Sequence, residues 1–157
     1  MNDPTVRAEL TRLPLLAGAD ANQIDRVAGW SRARRFAAGE LMLQRGEPAD
    51  ELHVVVDGRV SLSIHAPGRG DLVLETLGRH DVVGVSWAVP PYRWGLDARA
   101  VHEVSALTID GVRLRAVTEG DDPLGPVVLR GVVGLLGDRL HAARHRLVDL
   151  YDSERRS

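Results

Sequence analysis

Eight short segments of alternating apolar and polar residues, each cut off by glycine, proline or aspartate, occupy the chain between Ser31 and Ile109. A period of two marks strands that bury one face, and the punctuating residues are those that turn a backbone sharply. The segments run Ser31–Phe36, Leu41–Gln44, Glu51–Asp57, Arg59–His65, Leu72–Leu77, Asp81–Val83, Asp97–Val101 and Val104–Ile109. Tight turns are written at Asp57-Gly58 and across Ala66-Pro67-Gly68-Arg69-Gly70. So many strands in so little chain predict a barrel or a jelly roll.

Helical patterns flank this region. Pro4–Leu10 and Ala21–Trp30 read as two short helices; Asp20 is placed to cap the second, whose Ile24, Val27 and Ala28 share one face. After Asp110 the period becomes helical again. Gly111–Glu119 forms a short helix, and Gly120-Asp121-Asp122-Pro123 is a start signal for a helix running to about Tyr151. The expected fold is therefore mainly β with flanking helices: an eight-stranded, jelly-roll-like β-roll with N-terminal helices and a long C-terminal helix, as one domain over residues 1–157.

Two apolar stripes run along that last helix. Leu129, Val133, Leu136, Leu140, Ala143, Leu147 and Leu150 follow one another at alternating spacings of four and three, a heptad seam. Leu124, Val128, Val132 and Leu135 make a second stripe able to face the roll, and Gly131, Gly134 and Gly137 would let backbones approach closely. The seam either joins two copies into a homodimer or covers the chain's own core.

The candidate ligand site is the run from Gly84 to Ala100, which breaks the strand rhythm. Gly84 permits a sharp turn, Ser86 is placed to cap a short helix, and Pro90-Pro91 stops it after one turn. With Val85, the N–H groups at such a start favour an anion. Arg93 and Arg99 are the cations within reach, though either could instead pair with Asp97. Trp87 and Trp94 offer stacking surfaces for a flat ligand or filling for a core that has a single Phe.

Composition closes other routes. The formal charge is -2 with a pI near 6.3, against broad polyanion binding, and the absence of cysteine removes disulfides, thiolate metal sites and iron–sulfur clusters. Met1–Glu9 is polar, and no apolar run reaches the ~18 residues of a membrane helix, so a cytoplasmic protein without membrane contact is expected. His141 and His145 stand four apart on the last helix, but no third metal ligand accompanies them and a solvated pair is expected. No His-x-His motif, nucleophile elbow, phosphate loop or paired-carboxylate motif is present, so no catalytic residue and no enzyme activity are expected.

The stretch Gly39-Glu40-Leu41 through Gly46-Glu47-Pro48-Ala49-Asp50-Glu51-Leu52 to Asp57-Gly58-Arg59-Val60 resembles the cyclic nucleotide-binding domain of catabolite-activator-type regulators, and the resemblance covers essentially the whole chain. It implies an eight-stranded β-roll, a dimer contact through the long helix, and cyclic AMP or cyclic GMP as a ligand. In the family a Gly-Glu pair opens the phosphate cassette and an Arg-x-Ala-Thr or Arg-x-Ala-Ser motif closes it. Here Gly84 matches the glycine, Val85 stands at the glutamate position, the arginine position falls at or near Trp94, and the Ala-Thr pair falls near Leu96-Asp97. Many members follow the dimer helix with a helix-turn-helix; the residues after Tyr151 leave no room for one, so no direct DNA contact is expected. The expected function is a regulatory module coupling a ligand in the roll to the dimer helix. The alternative is a domain that binds no nucleotide and serves as an interaction subunit for a protein partner.

Overall fold

Capping chemistry starts the helices where the sequence places them. The computed structural model describes residues 4–157; Met1–Asp3, part of the polar opening stretch, lie outside the described residues. Helix α1 spans Pro4–Arg12 and α2 spans Ala21–Ala28, joined through a 3-10 turn at Pro14–Leu16. The Asp20 carboxylate accepts the Gln23 N–H while the Gln23 side chain accepts the Asp20 N–H, a reciprocal capping box. Ile24, Val27 and Ala28 are buried as one face.

The eight strands are β1 (Ser31–Phe36), β2 (Leu41–Leu43), β3 (Glu51–Asp57), β4 (Val60–Ala66), β5 (Gly70–Leu77), β6 (Val82–Val83), β7 (Asp97–Ala100) and β8 (Val104–Asp110). They form two antiparallel four-stranded sheets, ordered β1-β8-β3-β6 and β2-β7-β4-β5. Phe36, Leu52, Val54, Leu62 and Ile109 are among the fully buried residues of the core, each contributing on the order of 1.5–3 kcal/mol by leaving water. The Asp57-Gly58 turn requires glycine: its φ is 106°, and a Cβ there would lie 2.5 Å from the Glu103 carbonyl oxygen.

A polar pair is sealed in this core. His53 on β3 faces Thr108 on β8 in register, with Nδ1 2.7 Å from the threonine hydroxyl and its ring edge-on to Phe36. Burial first, then the positive charge of Arg34, pushes its pKa down to about 4.

Helix α3 (Gly111–Thr118) is capped by Asp110, whose carboxylate accepts the N–H groups of Val112 and Arg113. Helix α4 (Leu124–Arg156) begins where Asp122 accepts the Leu124 N–H. Asp122 also receives both Arg26 nitrogens, at 2.9 and 2.6 Å, tying α4 to α2. The Arg26 contact, helped by Leu124, holds the Asp122 pKa down to about 2.

The second stripe packs as expected: Leu124, Val128 and Val132 are buried and Leu135 is partly buried. The glycine reading needs correction. Close approach occurs at Gly131, where a Cβ would lie 2.0 Å from the Leu15 carbonyl oxygen, and at Gly125, 2.3 Å from that of Val117. Gly134 and Gly137 face open space, because α4 has by then risen away from the N-terminal turn. All seven seam residues are exposed on the chain.

Two outcomes follow for stability. G131A should lower the urea midpoint by an amount equivalent to ~1–3 kcal/mol, whereas G134A should raise it by up to ~1 kcal/mol, the ordinary gain of alanine over glycine in a helix. For His53, both folded and unfolded states are neutral above pH 6.5; between pH 6.5 and about 4 only the unfolded chain takes up a proton, so stability falls with pH. The total loss should be roughly 3 kcal/mol, levelling off below about pH 4. Urea titrations across that range should show this slope in the wild type and not in H53Q.

Candidate functional site

Strand β6 delivers the chain to Gly84, whose φ of 92° is open to glycine and strained for other residues. The Trp94 indole lies directly on it: a Cβ at position 84 would sit 2.3 Å from Trp94 Cζ3 and 3.0 Å from Leu43 Cδ1. The space beneath the cassette turn is thus filled by an aromatic side chain. The turn itself is a 3-10 helix, Ser86–Ala88. Ser86 is its first residue and not its cap; Val85 holds the cap position and offers no side-chain acceptor. The expected anion-binding helix start is reduced to a single uncapped turn, because Val89 is already extended.

The loop after it is bound to the Gly46–Ala49 corner. Gly46 N–H donates to the Trp94 carbonyl, Trp94 N–H to that of Glu47 and Ala49 N–H to that of Tyr92, at 2.8 to 3.0 Å. Pro90-Pro91 is a cis pair. Arg115 of α3 stacks 4.1 Å over the Tyr92 ring and donates to the Trp87 carbonyl at 2.8 Å.

These bonds redistribute the predicted site residues. Arg93 donates to the Gly46 carbonyl at 2.8 Å and Arg99 to the Gly39 carbonyl at 2.6 Å. Both arginines fasten glycine turns. Asp97 pairs with neither of them; its carboxylate accepts the Arg45 N–H at 2.7 Å. Trp87 is fully buried and Trp94 nearly so, and both pack in the core. Of the cassette, Val85 and Leu96 line an open space.

That space is a groove of about 950 Å³ between the mouth of the roll and α4. Leu62 of β4, Val73 and Leu74 of β5, and Val85 and Leu96 form one wall; five seam residues, Leu136, Leu140, Ala143, Leu147 and Leu150, form the other. The seam therefore faces the roll across a gap along most of its length, and only Leu129 and Val133 stand clear of it. Four charged side chains enter the lining: Glu75, Arg139, Arg146 and Asp149. Arg146 lies 3.9 Å from Glu75. Arg139 donates to the Val82 carbonyl; burial lowers its pKa, opposed by Glu75 and Asp81. Beyond Arg139 lies a second cavity of about 460 Å³, reaching Leu15 and Gly131.

Sequence reasoning passed over Arg139, Arg146 and the β5 residues. The two arginines stand seven apart among the seam leucines, and that signal was available in the sequence. His141 and His145 are exposed with their Nε2 atoms 3.1 Å apart, and no group of three metal-ligating side chains exists among the described residues. Nor is any described helix long and apolar enough to cross a membrane.

Against known proteins, the model of the cyclic nucleotide-binding domain matches residues 33–121. A CRP-like cAMP-activated global transcriptional regulator of Mycobacterium tuberculosis is 25% identical over 141 residues, 90% of this chain and 61% of the relative; this chain spans about three-fifths of that relative's length. The N-terminal domain of a transcriptional regulator from Streptomyces coelicolor superposes with a TM-score of 0.68 at 25% identity, covering 85% of this chain and 94% of the other. A cyclic nucleotide-binding domain from Methylobacillus flagellatus has the same fold, with a TM-score of 0.78 at 15% identity over 93% of this chain and 82% of its own.

The packing of Trp94 on Gly84 is open to a direct check. W94A should cost ~3–5 kcal/mol in urea denaturation, as for other large aromatic side chains removed from a core. An indole that only stacked on a ligand would leave the stability of the free protein unchanged when truncated.

Proposed function

The chain belongs to the cyclic nucleotide-binding domain family, and on that premise we propose that it is a non-enzymatic regulatory module sensing a small ligand in the groove beneath α4. The observation supporting this most directly is that one apolar groove has the cassette residues Val85 and Leu96 on one wall and the α4 seam on the other. A molecule touching both walls binds differently to states in which α4 lies near the roll or away from it. Its occupancy therefore shifts the population between them. We take the seam to be the surface through which two copies associate, so that ligand and partner helix compete for, or complete, the same apolar strip.

Cyclic AMP and cyclic GMP are the reference ligands for this family, but this cassette is poorly equipped for them. Val85 offers no acceptor for a ribose hydroxyl, and the position of the family's phosphate-binding arginine falls at or near Trp94. Two missing charge-assisted bonds, at ~1.5–3 kcal/mol each, correspond to roughly two to four orders of magnitude in affinity. Trp87, Arg93, Asp97 and Arg99 act in this reading as the frame of the cassette and not as ligand contacts.

A second reading, a docking subunit for another protein, draws support from β5. This edge strand exposes Leu72, Val73 and Leu74, and no strand among the described residues pairs with its outer side.

Hydrogen exchange decides the coupling: a ligand saturating the groove should slow exchange across residues 136–150, and unchanged exchange at saturation would sink the sensing model. Titration calorimetry with cyclic AMP and cyclic GMP should give only weak binding, with affinities two to four orders below those of a domain retaining both anchors. In sedimentation equilibrium the wild type should be dimeric and V133E monomeric; a wild type that stays monomeric at every concentration would remove the seam from the mechanism.

A further inference from the structure

We infer that the groove selects an amphipathic monoanion, an apolar body ending in a carboxylate head, and that Arg139 of α4 reads the head in place of any cassette residue. This rests on the groove being the ligand site, as proposed above.

Charge is the first support. The lining carries two arginines and two carboxylates. Arg146 has Glu75 within 3.9 Å, so its charge is met inside the protein. Arg139 is different: half-buried, the one α4 arginine that is not exposed, it has no carboxylate at ion-pair distance among the described residues and one hydrogen bond, to the neutral Val82 carbonyl. A guanidinium has five N–H donors, so most of its bonding capacity is left for an incoming anion, and Glu75 and Asp81 act on its charge only from beyond ion-pair distance. A doubly charged head would find this single unmatched cation with Glu75 and Asp149 in the same lining, which favours one negative charge over two.

The walls specify the body. Ten of the fifteen lining residues are apolar, and on the cassette wall Val85 and Leu96 carry no side-chain acceptor. A sugar-bearing ligand would leave hydroxyls unpaired there, while an acyl chain or an aromatic ring gains by leaving water. Geometry also connects the head to regulation. Arg139 reaches the Val82 carbonyl of β6, two residues ahead of Gly84, so an anion that claims the guanidinium loosens or re-aims the bond between α4 and the cassette strand.

Decanoate and decanol test this on the full chain, because they share an apolar body and differ in charge. Wild type should bind decanoate at least about tenfold more tightly than decanol by calorimetry, R139M should erase that preference while leaving decanol binding in place, and R139K should keep it. R146M should retain the preference. If wild type binds both probes equally, or if R146M and not R139M abolishes the preference, Arg139 does not read the head and the inference fails while the groove remains a ligand site. If neither probe binds, the inference and the small-ligand reading fall together.

Discussion

Everything about the site depends on how α4 is laid against the rest of the chain. The helix is packed at its start, where Asp122 grips Arg26, Leu124, Val128 and Val132 are buried, and the Gly131 backbone rests on the Leu15 carbonyl; further along, Arg139 bonds the Val82 carbonyl and Arg146 lies beside Glu75. A side chain at position 131 would push the helix off this turn. Beyond that contact α4 leaves the core, and the gap between its apolar face and the roll becomes the groove. An amphipathic helix with its apolar face only partly met is a surface waiting for an occupant, whether ligand or second helix.

The cassette shows one fold accommodating a changed chemistry. An anion site at the start of a short helix needs free N–H groups and a nearby cation. Here the turn is uncapped and short, the indole of Trp94 fills the space under Gly84, and Arg93 and Arg99 bond the Gly46 and Gly39 carbonyls outside the groove lining. The result is a rigid loop pinned to the Gly46–Ala49 corner. Cationic character next to the ligand space passes to the long helix, where Arg139 sits between two cavities. In the proposed mechanism, an anchor on α4 in place of one on the roll makes occupancy and helix position the same event.

Local chemistry was readable directly from the residues. Asp20 before Gln23 made a capping box, Asp110 capped α3, Asp57-Gly58 made a turn, and every expected strand formed with ends displaced by no more than two residues. These depend on interactions spanning a few residues, or on a period of two imposed by one buried face, and such patterns survive in a linear string. The buried stripe of α4 was legible for the same reason. What could not be read was which of two apolar stripes finds a partner within the chain and which glycine meets a backbone, since periodicity gives faces and not neighbours. Gly131 and Gly134 look alike in sequence and differ only because Leu15 lies under one of them.

The same limit governs the charged residues. Arg93, Arg99 and Asp97 lie within seven positions of one another, close enough in sequence to suggest a shared anion site or an ion pair. Folding instead brings Gly46, Gly39 and Arg45 to them across 47, 60 and 52 positions; each side chain bonds one of those backbone groups, and none of the three lines the groove. Sequence alone thus settled the elements, their order and the family to which they belong, because turn and cap chemistry is local. The tertiary structure decided which cations are held on turn carbonyls away from the groove and which, like Arg139, line it, because a partner's distance in space is unrelated to its distance along the chain.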